Sequence, residues 1–332
     1  MLKEAEIRKR EVFNRYLEMV SEDARCFFQP QTFRVIACPA CGMTEHEFAF
    51  EKAGFTYVVC PTCRTLYVNP RPSGEELKRF YAQSPSACFW VEEFFKPVAE
   101  VRRLKIFRPR AEYVRDRFPV LTQRVIADIG SGFGLFLDEL RKMRPDNRYI
   151  AIEPSPAMVR ICRESGFEVI EDFVEDIGRA WDKKVFLITA FELFEHLAAP
   201  RAFLEKIYNL LEPGGYLLLT TLNGEGFDIQ VLWDKSKSVF PPHHLNFFNL
   251  SSMHQLLHEV GFRIEELCTP GQLDWDIVEG SYLQEGISLG RFWTFLAECG
   301  DDNVKRTFQD WLVASKLSSH MRVLVQKPCG PY

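Results

Sequence analysis

Apolar positions along the chain change period three times, and each change marks a different kind of element. Residues 3 to 27 carry Ile7, Val12, Phe13, Tyr16 and Leu17 on one side of a helical wheel, which predicts an amphipathic helix. Short alternating stretches such as Phe55-Thr-Tyr-Val-Val59 follow and predict strands. Asn69-Pro-Arg-Pro-Ser73 breaks that pattern, and Ser73 is placed to cap a helix starting at Gly74-Glu-Glu-Leu. Residues 75 to 118 are mostly of helical character and rich in aromatics, among them Phe80, Tyr81, Phe89, Trp90, Phe94 and Phe95.

From residue 124 strand and helix patterns alternate. Val125-Ile-Ala127, Tyr149-Ile-Ala-Ile152, Phe167-Glu-Val-Ile170, Val185-Phe-Leu-Ile-Thr189 and Tyr216-Leu-Leu-Leu-Thr220 are apolar runs of strand length. Phe133, Phe136, Leu137 and Leu140 fall at helical spacing after the first run, and Ser155-Pro156 supplies a cap and a first-turn proline after the second. A helix over Ser251 to Val260 ends at Gly261. Phe262 to Leu267 and Met321 to Gln326 read as two last strands, with a helical insertion at roughly 269 to 319 between them. This alternation predicts an α/β fold, a mainly parallel sheet wrapped by helices.

The chain has 332 residues and is 46% hydrophobic, enough for a large core. No apolar run approaches the ~18 residues of a membrane span. The charged start, Met-Leu-Lys-Glu-Ala-Glu, does not read as a signal peptide, and a cytoplasmic location is expected. The net charge of −5 argues against nucleic acid as the partner. Oligomeric state is not legible.

Ten cysteines divide into four at metal spacing and six scattered ones. Cys38-Pro-Ala-Cys41 and Cys60-Pro-Thr-Cys63 are two Cys-x-x-Cys turns with 18 residues between them. Each such turn presents two sulfurs to one ion, and two turns complete a tetrahedral Zn2+ site of the structural kind. A redox dithiol needs only one such motif. His46 is a nearby spare ligand expected at the surface.

A glycine-rich turn, Asp128-Ile-Gly-Ser-Gly-Phe-Gly134, follows the first strand of the alternating region. Glycines are needed where backbone approaches a nucleotide ahead of a helix N-terminus. A dinucleotide fingerprint would want glycine at 135, where Leu135 stands. Glu153 ends the second strand, 19 residues after Gly134, where a carboxylate takes ribose hydroxyls.

Here the chain resembles the class I methyltransferases that use S-adenosyl-L-methionine (SAM). The resemblance is carried by Val125-Ile-Ala-Asp-Ile-Gly-Ser-Gly-Phe-Gly134, Glu153-Pro-Ser-Pro156, Ala190-Phe-Glu-Leu-Phe-Glu-His-Leu197 and Leu211-Glu-Pro-Gly-Gly-Tyr-Leu217. It implies a Rossmann-like seven-stranded sheet whose last strand is antiparallel. It also implies that Gly130 and Gly132 back the methionine part, with Gly134 completing the cofactor-binding turn, that Asp128 orients the turn and that Glu153 holds the ribose. Phe173 and Val174, or alternatively Asp172, fall where the family grips adenine, and Phe191 falls beside the cofactor. The chain then divides into an N-terminal helix plus zinc ribbon (1–70), a helical linker or lid (71–120) and a SAM-dependent methyltransferase domain (121–332).

Methyl transfer is an in-line displacement in which the enzyme positions the acceptor and takes up its proton. Two histidine segments are candidates. Glu195-His196 follows the fourth strand, as a base or as a packing and capping pair. Phe240-Pro-Pro-His-His-Leu-Asn-Phe-Phe248 resembles a segment of zinc-ribbon methyltransferases acting on nucleotide-linked sugars. There His244 is the candidate base and His243 a positioning group, or both simply close the loop. Asn223 and the Gly224-Glu-Gly-Phe-Asp228 loop are placed to touch polar groups of the acceptor. Trp90 and Phe94 serve as a lid or as core. The basic run from Arg102 to Arg110 is a solvated helix face, a diphosphate or nucleic-acid contact, or a partner for the cofactor carboxylate. The expected activity is methylation of carbon or oxygen on a small-molecule or carrier-linked acceptor. An RNA methyltransferase or a non-catalytic scaffold would share the same motifs.

Overall fold

The computed structural model describes residues 3–330. The N-terminal amphipathic pattern forms two helices, α1 (Glu4–Ile7) and α2 (Arg10–Phe27), interrupted at Arg8 and Lys9. Strands β1 (Glu47–Lys52), β2 (Phe55–Val59) and β3 (Leu66–Val68) build the ribbon. Helices α3 (Gly74–Gln83), α4 (Pro85–Phe89), α5 (Ala99–Arg102) and α6 (Arg108–Arg117) follow, joined by wide π-type turns at Trp90–Phe95 and Arg103–Phe107. Ser73 caps α3 as expected, accepting from the Glu76 N–H while the Glu76 carboxylate accepts from the Ser73 N–H.

The alternating region then runs β4 (Val125–Ile129), α7 (Leu135–Met143), β5 (Arg148–Ile152), α8 (Pro156–Glu164), β6 (Glu168–Ile170), β7 (Val185–Phe191), α9 (Pro200–Leu210) and β8 (Leu211–Leu222). Helix α10 (Phe227–Leu232), strand β9 (Asn246–Phe247), helix α11 (Leu250–Val260) and strand β10 (Arg263–Cys268) come next. The insertion folds as α12 (Asp274–Glu285), α13 (Arg291–Cys299) and α14 (Asp302–Ala314) before β11 (His320–Gln326). None of the described helices is long and apolar enough to cross a membrane.

The large sheet has the order β10-β11-β8-β7-β4-β5-β6, parallel except for β11, which is antiparallel to both neighbours. Its strands are apolar on both faces because helices cover both. Ala127, Ile129, Ile188, Ala190, Leu217 and Leu219 pack with Phe203, Ile207 and Leu256 of α9 and α11. The intervening Ile126, Leu187 and Leu218 pack with Val114 of α6 and Phe136, Leu137 and Leu140 of α7.

The small sheet has the order β1-β2-β3-β9. Its fourth strand comes from the loop holding the adjacent histidines, with Leu66 opposite Phe247 and Tyr67 opposite Asn246. An aromatic core of Phe13, Tyr16, Phe50, Tyr57, Phe80, Phe94 and Phe247 joins α2, the ribbon and this loop. Trp90 and Phe94 belong to that core, with ring centroids 4.2 Å apart. It is Phe95 that reaches the glycine turn, 4.8 Å from the Phe133 ring.

Candidate functional site

The four ribbon cysteines converge, with all sulfurs within 4.8 Å of one another. Cys38 and Cys63 sulfurs are 3.5 Å apart, as are those of Cys41 and Cys60. Tetrahedral Zn–S bonds of about 2.3 Å imply edges of roughly 3.8 Å, so the set fits one zinc ion. The two turns are built alike. Gly42 N–H donates to Cys38 O at 3.0 Å, and Arg64 N–H donates to Cys60 O at 2.9 Å. Gly42 and Arg64 both take the left-handed conformation this needs, with φ of 76° and 62°. The turns pack onto the body through Arg201 on Ala40 O and Asn249 on Cys63 O. His46 is exposed, as expected.

At the C-terminal end of β4 the three glycines are all left-handed, with φ of 65°, 54° and 69° at Gly130, Gly132 and Gly134. A side chain at 134 would also meet Phe167 and Cys162 at 3.2–3.3 Å, so this glycine brings the start of α7 against its neighbours. Asp128 is buried and accepts from Thr189 Oγ1 at 2.5 Å, and burial pushes its carboxyl up to about 7. Glu153, 5% exposed, accepts from the Gly132 and Ser155 N–H groups at 2.9 Å each. Burial raises its pKa. A carboxylate has about four acceptor sites. The lone pairs left over, beside a turn of left-handed glycines, suit a ribose diol. Phe173 is half-buried with Lys78 Nζ 4.7 Å over its ring, whereas Val174 is turned into the core. Phe191 packs edge-on against Phe136 at 4.8 Å, with the Arg110 guanidinium 4.5 Å over its ring.

The histidines meet in a cluster under the ribbon. His196 and His244 rings are 4.8 Å apart, and His196 and His243 rings 5.8 Å. His243 Nε2 is 3.0 Å from the Tyr16 hydroxyl. His196 Nδ1 is 3.3 Å from the Tyr81 hydroxyl. His244 Nδ1 donates to Ser238 O at 2.5 Å, leaving Nε2 as its lone-pair nitrogen. Burial lowers all three, His243 to about 3 and His244 to about 4, so the cluster is neutral at pH 7. Glu195, His196 and His244 offer ligand atoms within 4.8 Å of one another and could hold a divalent ion. Each is already engaged by the fold, Glu195 accepting from Thr221 Oγ1 at 2.8 Å.

A cavity of 350 Å³ opens beside this cluster, at the C-terminal ends of β7 and β8 and the start of β11. Phe191, Glu192, Thr220, Asp228, Ser319 and His320 line it, under a roof from α1, α5, α6 and α12. The histidine cluster stands behind its wall; Ser238, which takes the His244 bond, is in the lining. Glu192 has φ 51° and is held by Arg110 at 2.6 Å and by Thr220 Oγ1 at 2.7 Å, with His320 Nδ1 at 3.5 Å. Those partners outweigh burial and hold its carboxyl well below the usual range. Asp228 is 1% exposed. Burial, and secondarily the Asp274 carboxylate, pushes it up to about 7. Its Oδ2 accepts from Ser238 Oγ at 3.3 Å, while Oδ1 makes no regular hydrogen bond and has the Ser319 hydroxyl nearby. Sequence reasoning flagged the Asp228 loop and Arg110 but missed Glu192 and His320; the Phe191-Glu192 pair inside the matched Ala190–Leu197 block was the available signal.

A family model described as a methyltransferase domain matches residues 101–267. The ubiquinone biosynthesis O-methyltransferase of Xanthomonas euvesicatoria pv. vesicatoria (strain 85-10) is 28% identical over 172 residues, covering 48% of this chain and 70% of that protein. That of Xanthomonas oryzae pv. oryzae (strain PXO99A) is 32% identical over 120 residues, covering 34% of this chain and about half (49%) of that protein. Among solved structures, a complex of the Haloferax volcanii Trm112 methyltransferase activator with a methyltransferase aligns with a TM-score of 0.51 at 17% identity, over 73% of this chain and 99% of that one. The plantazolicin methyltransferase BpumL in complex with SAH aligns with a TM-score of 0.50 at 16% identity, over 76% and 94%. At these identities the two structures show a shared fold.

Proposed function

Starting from a chain that belongs to the methyltransferase-domain family, we propose that this SAM-dependent enzyme methylates an oxygen of a small-molecule acceptor bound in the 350 Å³ cavity. The relatives' names as O-methyltransferases support oxygen over carbon. The observation that carries the reading is Asp228. It is a buried carboxyl pushed up to about 7 by burial and Asp274; it lines the cavity and keeps one oxygen without a regular hydrogen bond, beside the Ser319 hydroxyl. A base with a pKa near the working pH combines the right protonation state with useful basicity.

SAM, when bound, supplies an electrophilic methyl group. Gly130, Gly132 and Gly134 give backbone access at the cofactor turn, Asp128 and Thr189 brace it, and Glu153 receives the ribose hydroxyls. Phe173 offers an apolar face on the adenine side. Asp228 takes the proton from the acceptor hydroxyl as its oxygen becomes the nucleophile. His244 acts through Ser238, whose carbonyl it holds and whose hydroxyl donates to Asp228, so His244 is a positioning residue. His243 and His196 pack that loop. The four cysteines would hold a structural zinc that fixes the ribbon against that loop.

The test is calorimetric titration with S-adenosylhomocysteine (SAH), followed by incubation with methyl-labelled SAM and separate pools of hydroxylated small molecules, nucleotide sugars and RNA. Saturable SAH binding and label in a small molecule are expected. No SAH binding would overturn the reading, and label in RNA alone would move the acceptor assignment to nucleic acid.

A further inference from the structure

The cavity holds a cation that the fold leaves without a counter-ion. Five basic side chains besides His320 line it: Arg8, Arg102, Lys105, Arg110 and Arg322. Four are neutralised by carboxylates, Arg8 by Glu4 at 3.1 Å, Lys105 by Glu6 at 2.5 Å, Arg110 by Glu192 at 2.6 Å and Arg322 by Glu266 at 2.7 Å. Arg102 has no acidic partner within 4.0 Å among the described residues. Its contacts are a long hydrogen bond from Nη1 to Ile7 O at 3.5 Å and the Phe95 ring 4.8 Å away. Its Nε is buried without a partner, and so is Nε of Arg8.

A guanidinium has five N–H donors in a planar fork, and leaving them unused away from bulk water is unfavourable. Burial, with Arg8 and Arg110 nearby, lowers the Arg102 pKa to about 10, so it still carries its charge at neutral pH. Local structure puts it there. Arg102 ends α5 just before the wide turn at Arg103–Phe107, which sends Arg103 outward to Asp138 and Glu139 and leaves Arg102 facing the cavity.

We propose that Arg102, assisted by Arg8, binds an anionic group, carboxylate or phosphate, on the methyl acceptor. The proposal rests on the reading of the cavity as the acceptor site. The cofactor's own carboxylate is the other source of such chemistry. Phe95, the ring under Arg102, also packs on Phe133 of the cofactor turn, but none of Asp128 to Gly134 nor Glu153 lines this cavity, which favours the acceptor.

The test uses the full chain loaded with SAH and titrated with two probes, benzoate and inorganic phosphate, in wild type, R102Q and R102K. Wild type is expected to bind at least one probe saturably in the ~mM range, R102Q to bind it about tenfold or more weakly, and R102K to recover part of the loss. SAH affinity should be equal in all three. No saturable binding to wild type, or equal binding to wild type and R102Q, would overturn the proposal while leaving the methyltransferase reading intact. A loss of SAH affinity in R102Q, with 5′-methylthioadenosine affinity unchanged, would overturn it by assigning Arg102 to the cofactor carboxylate. Failure of wild type to bind SAH would instead strike the methyl-transfer reading itself. R102Q removes an unpaired, largely buried charge, so its thermal midpoint should not fall, which separates lost binding from lost folding.

Discussion

Replacing Asp228 by Asn should stabilise the protein, and by an amount that grows with pH. The carboxyl is buried, lies near Asp274 and is pushed up to about 7 in the folded chain. In the unfolded chain it would titrate near 3.9. Between those values the native state holds a proton that the unfolded state has released. Stability of the wild type therefore falls as pH rises across that window and levels off above about 7. At 1.36 kcal/mol per pH unit, the total is on the order of 4 kcal/mol. Asparagine keeps the shape and has nothing to ionise. The D228N midpoint should match or trail the wild type near pH 4.5 and exceed it by on the order of 10 °C at pH 8. Thermal melts of both proteins at half-unit steps provide the assay. Asp128 and Glu195, also pushed up by burial, are common to both proteins and cancel in the difference. The same variant should lose methyl transfer by about 10²- to 10⁴-fold while keeping SAH affinity. A midpoint difference that stays constant from pH 4.5 to 8 would refute the argument, because the carboxyl would then have an ordinary pKa and no special fitness as a base.

Two further outcomes bear on the cofactor and the metal. E153Q removes the charge that the Gly132 and Ser155 amides orient, and should weaken SAH binding about tenfold or more by calorimetry; unchanged affinity would remove Glu153 from the ribose site. The wild type should carry one zinc per chain by elemental analysis and C60S none, with a lower thermal midpoint, since structural zinc contributes on the order of 10 kcal/mol in small modules. A zinc-free wild type, or a C60S variant with an unchanged midpoint, would mean that the ribbon stands without metal.

Much of the architecture was legible because local signals agreed with the tertiary result. The runs at Val125–Ala127 and Leu217–Leu219 are apolar at successive positions because each strand is covered on both faces. The Ser73 cap and the Gly261 stop have local causes, a side-chain acceptor and a left-handed φ of 100°. The cysteine turns were legible for a similar reason, since their spacing is itself the geometry. The acceptor site was less so. Asp228 shows in the sequence only as a polar residue in a loop; its pKa comes from burial and from Asp274, 46 positions away. Glu192 and His320 meet because β11 inserts beside β8, a pairing no local pattern encodes. Phe191, expected beside the cofactor, has its ring held between Arg110 and Phe136 and also lines the cavity, contacts that no local pattern encodes.

The fourth strand of the ribbon sheet has a consequence for how the chain is made. Leu66 and Tyr67 leave the ribosome long before Asn246 and Phe247, their partners in that sheet. At 5–20 residues per second the gap of roughly 180 residues lasts about 10 to 40 s. For that interval β3 is an open edge, buried in the finished protein but offering unpaired backbone groups to any neighbouring nascent chain. Early zinc capture would hold β2 and β3 in register while the edge waits. Synthesis in zinc-poor medium would therefore show its damage as co-translational aggregation, before any finished molecule had lost its metal.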